Sequence, residues 1–128
     1  MRTFNSILEE IKSKLSEEQI QLLKDTIRFG AWGDCEMEFK ENGEWVTDWC
    51  TGYITNDAKK AGHFEGRKVS AMFRSIYSKL EMLGKGSGAN EYFAYYNNWW
   101  GDGSGDVLFI RSFGEERVDA KFEKWAKE

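Results

Sequence analysis

The residue types that could do chemistry are sparse in this chain of 128 residues. It contains one histidine, His63, which stands beside Phe64 in a predicted turn. No motif places a serine or cysteine nucleophile with that histidine, and nucleophilic catalysis needs such a pairing of nucleophile and base. The sequence therefore favours a protein that is not an enzyme.

The two cysteines, Cys35 and Cys50, lead to two alternatives. Together with His63 they give three metal-binding side chains without short ligand spacing, so a structural zinc site is not expected. Free buried thiols are the usual state in a reducing cytosol. The pair Asn42-Gly43, however, predicts a type I′ turn that sets Cys35 opposite Cys50 on neighbouring strands, where oxidation could join them in a disulfide.

Carboxylates are concentrated on the first predicted strand and on its partner. Three of them alternate along one strand and a fourth stands on the partner strand: Asp34, Glu36, Glu38 and Asp48. Such a row could hold a hard cation, because calcium and magnesium take oxygen ligands. Like charges on a solvated sheet face explain the same pattern, and we expect no bound metal there.

The segment 102–106 has oxygen-bearing residues at the first, third and fifth positions of a calcium-type loop. The sixth position would be Val107 instead of glycine, and the twelfth would be Phe113 instead of glutamate. We therefore expect a glycine-rich hairpin turn at this segment. No metal and no other cofactor is predicted for the chain.

The elements that must position these residues follow from hydrophobic spacing. Apolar residues recur at helical intervals over 4–15, and Ser16 with Gln19 forms a capping-box signature that opens a second helix. Alternation of polar and apolar residues then predicts a strand over 34–40. After the Asn-Gly turn, a second strand is predicted over 45–54.

The strongest periodic signal predicts a main helix over 66–83. Its apolar stripe consists of Val69, Met72, Phe73, Ile76, Tyr77, Leu80 and Leu83. Before this helix, Thr55 or Asn56 can cap a short helical turn. After it, the glycine and serine content of 85–90 predicts a flexible loop.

Two further strands are predicted over 91–100 and 107–113, followed by a closing helix with Val118, Phe122 and Trp125 on one stripe. The resulting order is ααββ(α)αββα. This order predicts an α+β fold in which a small antiparallel sheet of two hairpins carries helices packed on one face.

Composition narrows the class of protein further. A net charge of -4 gives no global attraction to nucleic acid or to acidic membranes, and 41% hydrophobic residues are enough for a real core. No window approaches the roughly 18 consecutive apolar residues of a membrane span, and the N-terminus has no apolar leader pattern. We predict a single domain over 1–128 that is cytoplasmic and does not associate with membranes.

The run 92–100 is dense in aromatic residues at both strand parities. Because side chains of a strand alternate between faces, these aromatics cannot all lie in one core layer, and some are expected to be exposed. Exposed tyrosine and tryptophan side chains are favoured anchors for a protein partner. The predicted partner-binding residues are Tyr92, Tyr95, Tyr96, Trp99 and Trp100.

A basic segment supports a second functional hypothesis. Residues 58–85 carry seven lysines and arginines against two glutamates. Ala58 and Gly62 have the spacing of a first-helix small residue and a turn glycine, and Val69 and Met72 have the spacing of second-helix core positions. With an aromatic hairpin following, the segment 55–83 resembles a helix-turn-helix motif, which implies contact with nucleic acid. The residues carrying this implication are Lys59, Lys60, Arg67, Lys68 and Arg74.

The sequence as a whole favours a non-enzymatic binding module with a macromolecular partner, a protein in preference to a nucleic acid. An acidic chain without a catalytic set suits a small regulator or inhibitor that docks through exposed aromatics and complementary charge. The alternative is a nucleic-acid-binding protein that uses the segment resembling a helix-turn-helix.

Overall fold

The computed structural model of the chain describes residues 4–62, 75–76, 87–102, 105–114 and 118–128. The fold is α+β, as predicted. The helices are α1 (Phe4–Lys14), α2 (Glu17–Phe29), α3 (Thr55–Lys60) and α4 (Asp119–Lys127), and the strands are β1 (Ala31–Glu41), β2 (Glu44–Ile54), β3 (Ser87–Ala89), β4 (Phe93–Tyr96) and β5 (Val107–Arg111). All five strands belong to one antiparallel sheet in the order β1-β2-β5-β4-β3.

The two N-terminal helices form where the sequence predicts them. The Ser16 hydroxyl accepts from the backbone N–H of Gln19, and the Gln19 side chain accepts from the backbone N–H of Ser16, which completes the capping box of α2. The helix ends at Gly30, where a Cβ would approach the Thr26 carbonyl oxygen to 2.6 Å and the Ile54 carbonyl oxygen to 2.8 Å. Glycine therefore allows the helix to turn directly into β1 against the end of β2.

The hairpin β1–β2 has the predicted register. Asn42 and Gly43 both have positive φ, 50° and 81°, as a type I′ turn requires, and Cys35 lies opposite Cys50. This register also corrects one expectation. Asp48 lies opposite Met37, so it is on the other face of the hairpin from the carboxylates at 34, 36 and 38.

The main predicted helix, 66–83, falls almost entirely outside the described residues, of which it includes only Ser75 and Ile76. Ile76 is buried in the core, and the Ser75 hydroxyl accepts from the Gln19 side-chain amide at 2.8 Å. The short helix before it, α3, begins at Thr55 without a side-chain cap. The Thr55 hydroxyl instead donates to the carbonyl of Asp106 at 3.2 Å.

The segment predicted as a flexible loop contains a strand. β3 pairs with β4, so the sheet has five strands where two hairpins would give four. The turn between these strands is built by Asn90, whose side-chain oxygen accepts from the N–H groups of Tyr92 and Phe93 at 2.8 Å each. The side-chain cap holds the chain in a hairpin that glycine and serine content alone does not predict.

The helices cover one face of the sheet. Side chains of β2, β4 and β5 on this face pack with apolar residues of α1, α2 and α4 in the larger of two hydrophobic clusters. The sheet contributes Tyr53, Phe93, Tyr95, Leu108 and Ile110. The predicted stripe of the C-terminal helix is confirmed, since Val118, Phe122 and Trp125 are buried in the same cluster.

The opposite face is also buried, although no described helix packs on it. The sheet curls until β1 contacts β3 and β4, and the backbone N–H of Lys40 donates to the carbonyl of Asn90 at 3.2 Å. A second hydrophobic cluster fills the inside of the curl: Phe39, Cys50, Ala89, Ala94, Val107 and Phe109. The side chains of the aromatic run are therefore divided between two cores. The presence of aromatic residues at both odd and even positions of the run is compatible with this arrangement.

Candidate binding surface

The predicted anchors of the aromatic run separate into buried and exposed groups. Tyr92 and Tyr95 are 5% and 2% exposed and belong to the helix-facing core, so they are not available as docking residues. The tyrosine hydroxyls bond within the molecule, Tyr92 to Glu10 and Tyr95 to Asp106. Trp99 and Trp100 are exposed by 41% and 48%, as predicted.

Asp106 holds these two tryptophans in place. Its carboxylate accepts from the backbone N–H of Asn98 at 2.8 Å and from the Tyr95 hydroxyl. Its backbone carbonyl accepts from the N–H of Thr55 at 3.0 Å. The loop after β4 is thereby tied at its base to β4 and to the start of α3, which presents Trp99 and Trp100 on an ordered support. Asp106 thus has a positioning role in the fold, and Gly103 and Ser104 of the predicted glycine-rich turn lie outside the described residues.

Trp99 joins the exposed surface to the core inside the curl. Its ring meets the rings of Tyr96 and Phe109 edge to face, at centroid distances of 5.0 Å and 5.2 Å. Tyr96 is half-buried and packs against the same inner cluster. Trp99 is therefore anchored on one side and exposed to solvent on the other.

Trp45 extends this exposed aromatic surface across the curl and was not among the predicted anchors. It is 51% exposed, and with Gly88, Ala89 and Tyr96 it lines a small cavity of about 30 Å³. Tyr96 therefore lies between Trp45, with which it lines this cavity, and Trp99, whose ring it meets. We call Trp45, Tyr96, Trp99 and Trp100 the aromatic surface.

An acidic face of the β1–β2 hairpin adjoins the aromatic surface at Trp45. In the register of the hairpin, Glu36 lies opposite Trp49, Glu38 opposite Thr47, and Lys40 opposite Trp45. All of these side chains except that of Lys40 are exposed. We call Glu36, Glu38, Thr47 and Trp49 the acidic hairpin face. The hairpin 31–54 holds six carboxylates and one lysine, so it carries more negative charge than the whole chain with its net charge of -4.

Lys40 connects the acidic hairpin face with the aromatic surface. Its ammonium lies 4.6 Å from the centroid of the Trp45 ring, a cation–π contact within the hairpin. The exposed Trp45 ring already accommodates a cation on one side. The same chemistry on its solvent side would suit a lysine or arginine of another molecule.

Two other hairpin carboxylates, Glu41 and Asp48, are paired within the fold. Arg111 of β5 donates from Nε to Asp48 at 2.8 Å and from Nη1 to Glu41 at 2.6 Å, and its guanidinium stacks 4.5 Å from the Phe113 ring centroid. Burial alone would lower the pKa of Arg111, but the hydrogen bonds and charges of Asp48 and Glu41 outweigh burial and raise it. Asp48 and Glu41 are thus partly neutralised, whereas Glu36 and Glu38 leave the open face negative.

The residues of the nucleic-acid hypothesis are mostly outside the described residues. Arg67, Lys68 and Arg74 lie there, and of Lys60 only the backbone, at the end of α3, is described. Lys59 is exposed on α3. Before residue 63, the segment consists of a helix of six residues whose Ala58 is fully buried, followed by a turn in which Gly62 has a φ of 87°.

A wide groove lies between α1 and α4, on the helical side of the molecule. It encloses about 800 Å³ and is lined by Leu8, Glu9, Lys12, Ser13, Lys121, Lys124, Trp125 and Glu128. Its lining includes three lysines and two glutamates, so the groove carries both charges and is not complementary to a ligand of one charge. We therefore place the candidate binding surface on the sheet and its loops, where the exposed tryptophans lie and where the hairpin is mainly negative.

Among the described residues there is neither a metal-binding cluster nor a membrane-spanning helix. No group of three or more His, Cys, Asp or Glu side chains among them is arranged to hold a metal ion. Within the same residues, no helix has the length and apolarity needed to cross a membrane. His63 lies outside the described residues.

Comparisons with known proteins identified no relative of the chain. No protein-family model matches the chain, and neither the curated proteins nor the solved structures include a significant match. Function must therefore be argued from the surface itself.

Proposed function

We propose that the protein is a non-enzymatic binding module, a small regulator or inhibitor that docks on a basic surface of a partner protein. The docking residues would be the aromatic surface together with the acidic hairpin face. The single observation that carries the proposal is the exposure of four tryptophans, of which Trp45 and Trp49 share the hairpin face of the exposed Glu36 and Glu38 and the other two are Trp99 and Trp100. Large aromatics are costly to expose to water, and they are enriched where protein partners bind.

Two further features support this proposal. The loop that carries Trp99 and Trp100 is tied down by Asp106, so little conformational entropy would be lost on binding. The uncompensated charge of Glu36 and Glu38 would attract a basic partner and align it on the tryptophans. Aromatic anchors would supply affinity, and the carboxylates would supply orientation and rate of association.

The test is capture of partners from an extract of the source organism on the immobilised protein, followed by mass spectrometry. Trp45→Ala combined with Trp100→Ala should abolish capture of the specific partner, since both side chains are exposed and their removal leaves the cores intact. Partners retained by this double variant as well as by the unmodified chain would count against the aromatic surface.

A second pair of variants separates position from net charge. Glu36→Lys with Glu38→Lys reverses the acidic hairpin face, whereas Glu17→Lys with Glu18→Lys changes the net charge equally on the exposed first turn of α2. We expect the first pair to lose the partner and the second to keep it. Equal loss in both pairs would mean that only global charge matters, which would contradict docking on the hairpin.

The nucleic-acid alternative makes a different prediction in the same experiment. Capture would then disappear on nuclease treatment and would depend on Lys59, the described exposed member of the basic set. That outcome would replace the protein-docking proposal.

A further inference from the structure

The two cysteines face each other inside the β1–β2 hairpin. Cys35 and Cys50 are direct partners in the register, and their Sγ atoms are 3.9 Å apart. Opposed residues of antiparallel strands have Cα atoms about 4.5–5.5 Å apart, which is within the roughly 4.4–6.8 Å that a disulfide spans. Small side-chain rotations would bring the sulfurs to the bonding distance of about 2.05 Å without moving the strands.

The environments of the two thiols are different. Cys50 is fully buried in the cluster inside the curl, and its thiol donates to the backbone carbonyl of Cys35 at 3.1 Å. Burial first, and then the proximity of Cys35, raises the pKa of Cys50 far above its ordinary value. Cys35 is only half-buried. A small oxidant in solution therefore reaches Cys35, while Cys50 is shielded and stays protonated.

We propose that Cys35 and Cys50 form a reversible intramolecular disulfide, with Cys35 as the thiol that meets the oxidant and Cys50 as the thiol that resolves it. With hydrogen peroxide as oxidant, the Cys35 sulfur attacks one peroxide oxygen, the O–O bond breaks, and Cys35 sulfenic acid and one water form. The Cys50 sulfur then attacks the Cys35 sulfur, the S–O bond breaks, and the departing hydroxide takes the thiol proton of Cys50, so that the disulfide and a second water form. A dithiol reductant reverses the reaction by thiol–disulfide exchange.

The disulfide would clamp the two longest strands of the sheet together across the turn at Asn42 and Gly43. It would close a loop in the unfolded chain between two cysteines that are 15 positions apart in sequence. Closing such a loop reduces the entropy of the unfolded state, and we expect Tm to rise by on the order of 10 °C in the oxidised protein.

The first experiment treats the native reduced protein with stoichiometric hydrogen peroxide and follows intact mass and alkylatable thiols. We expect a loss of two hydrogens, loss of both free thiols, a monomeric product, and full reversal by dithiothreitol. Two alkylatable thiols remaining after treatment, or a disulfide found only between molecules, would overturn the proposal.

The second experiment assigns the roles of the two thiols. In Cys50→Ala, peroxide should stop at a sulfenic acid that dimedone traps on Cys35, whereas Cys35→Ala should remain unmodified under the same conditions. If a variant does not fold, the unmodified chain still gives the assignment, because dimedone present during oxidation should label the peptide of Cys35 and not that of Cys50. Label found mainly on Cys50 would contradict the proposed order.

Discussion

The two faces of the sheet bury their cores by different routes. On one face, large side chains such as Tyr53 and Phe93 are covered by α1, α2 and α4. On the other, the sheet covers itself by curling, and small residues such as Ala89 and Ala94 leave room for Phe39 and Phe109. A strand with apolar residues at both parities therefore does not need a second layer of helices. Curvature can replace it.

The two routes leave different surfaces. The helix-facing side has a groove of mixed charge between α1 and α4 and continues on the β1–β2 hairpin as the exposed acidic hairpin face, whereas the inside of the curl reaches solvent at its rim, where Trp99 is partly exposed. A curled sheet cannot cover its own rims, and large aromatic residues placed there are partly packed and partly exposed. The candidate binding surface follows from this geometry.

The largest change in stability is expected when one fully buried phenylalanine is replaced on each face of the sheet. Phe39→Ala inside the curl and Phe93→Ala under the helices should each lower the free energy of unfolding by about 3–5 kcal/mol, because both side chains are almost inaccessible to solvent. Urea denaturation of the two variants gives the values. A cost below about 1 kcal/mol for Phe39→Ala alone would show that the inner cluster is not a core.

A second test probes how tightly the curl is packed. A Cβ at Gly52 would lie 2.9 Å from the ring of Phe109 and 3.3 Å from Val107, so Gly52→Ala should destabilise the protein by about 1–3 kcal/mol. Gly33, directly opposite Gly52, is the matched control, since a Cβ there meets nothing within 4 Å. Gly33→Ala should be neutral or stabilising by up to about 1 kcal/mol. Equal effects from the two variants in thermal or urea unfolding would refute the tight inner packing.

The smallest expected effects distinguish neighbouring tryptophans on the rim. Trp99→Ala removes edge-to-face contacts with Tyr96 and Phe109 and should cost about 1–2 kcal/mol of stability. Trp100→Ala should change stability by no more than about 0.5 kcal/mol, as is usual for exposed positions. If Trp100→Ala proved the more destabilising of the two, its assignment to the binding surface would fail.

Local features of the fold could be predicted from the sequence. The hairpin register follows from Asn42-Gly43, because a two-residue turn fixes which residues face each other. The capping box at Ser16 and the buried stripe of α4 are equally local. Each depends on interactions within a few residues, which sequence patterns record directly.

The curl could not be predicted in the same way. It depends on contact between Lys40 and Asn90, fifty residues apart in sequence, and on a short strand made of serine, glycine and alanine. Strand propensity is low for such residues, and the small Ala89 lies in the same buried cluster as Phe39. Trp45 and Trp49 were not among the predicted anchors. They could have been identified from the sequence, because the predicted register already paired Trp49 with Glu36 and Trp45 with Lys40.

The curl also determines how the sheet manages its two edges. β1 is an edge strand of eleven residues, which ordinarily invites strand addition by a second chain and leads to aggregation. Near its end the N–H of Lys40 is already bonded to Asn90, and the rest of the strand alternates with the charges of Asp34, Glu36 and Glu38. The opposite edge, β3, has only three residues. The same glutamates that would attract a basic partner under the proposed function would also repel a second copy of the strand, so one set of side chains would serve both docking and protection of the edge.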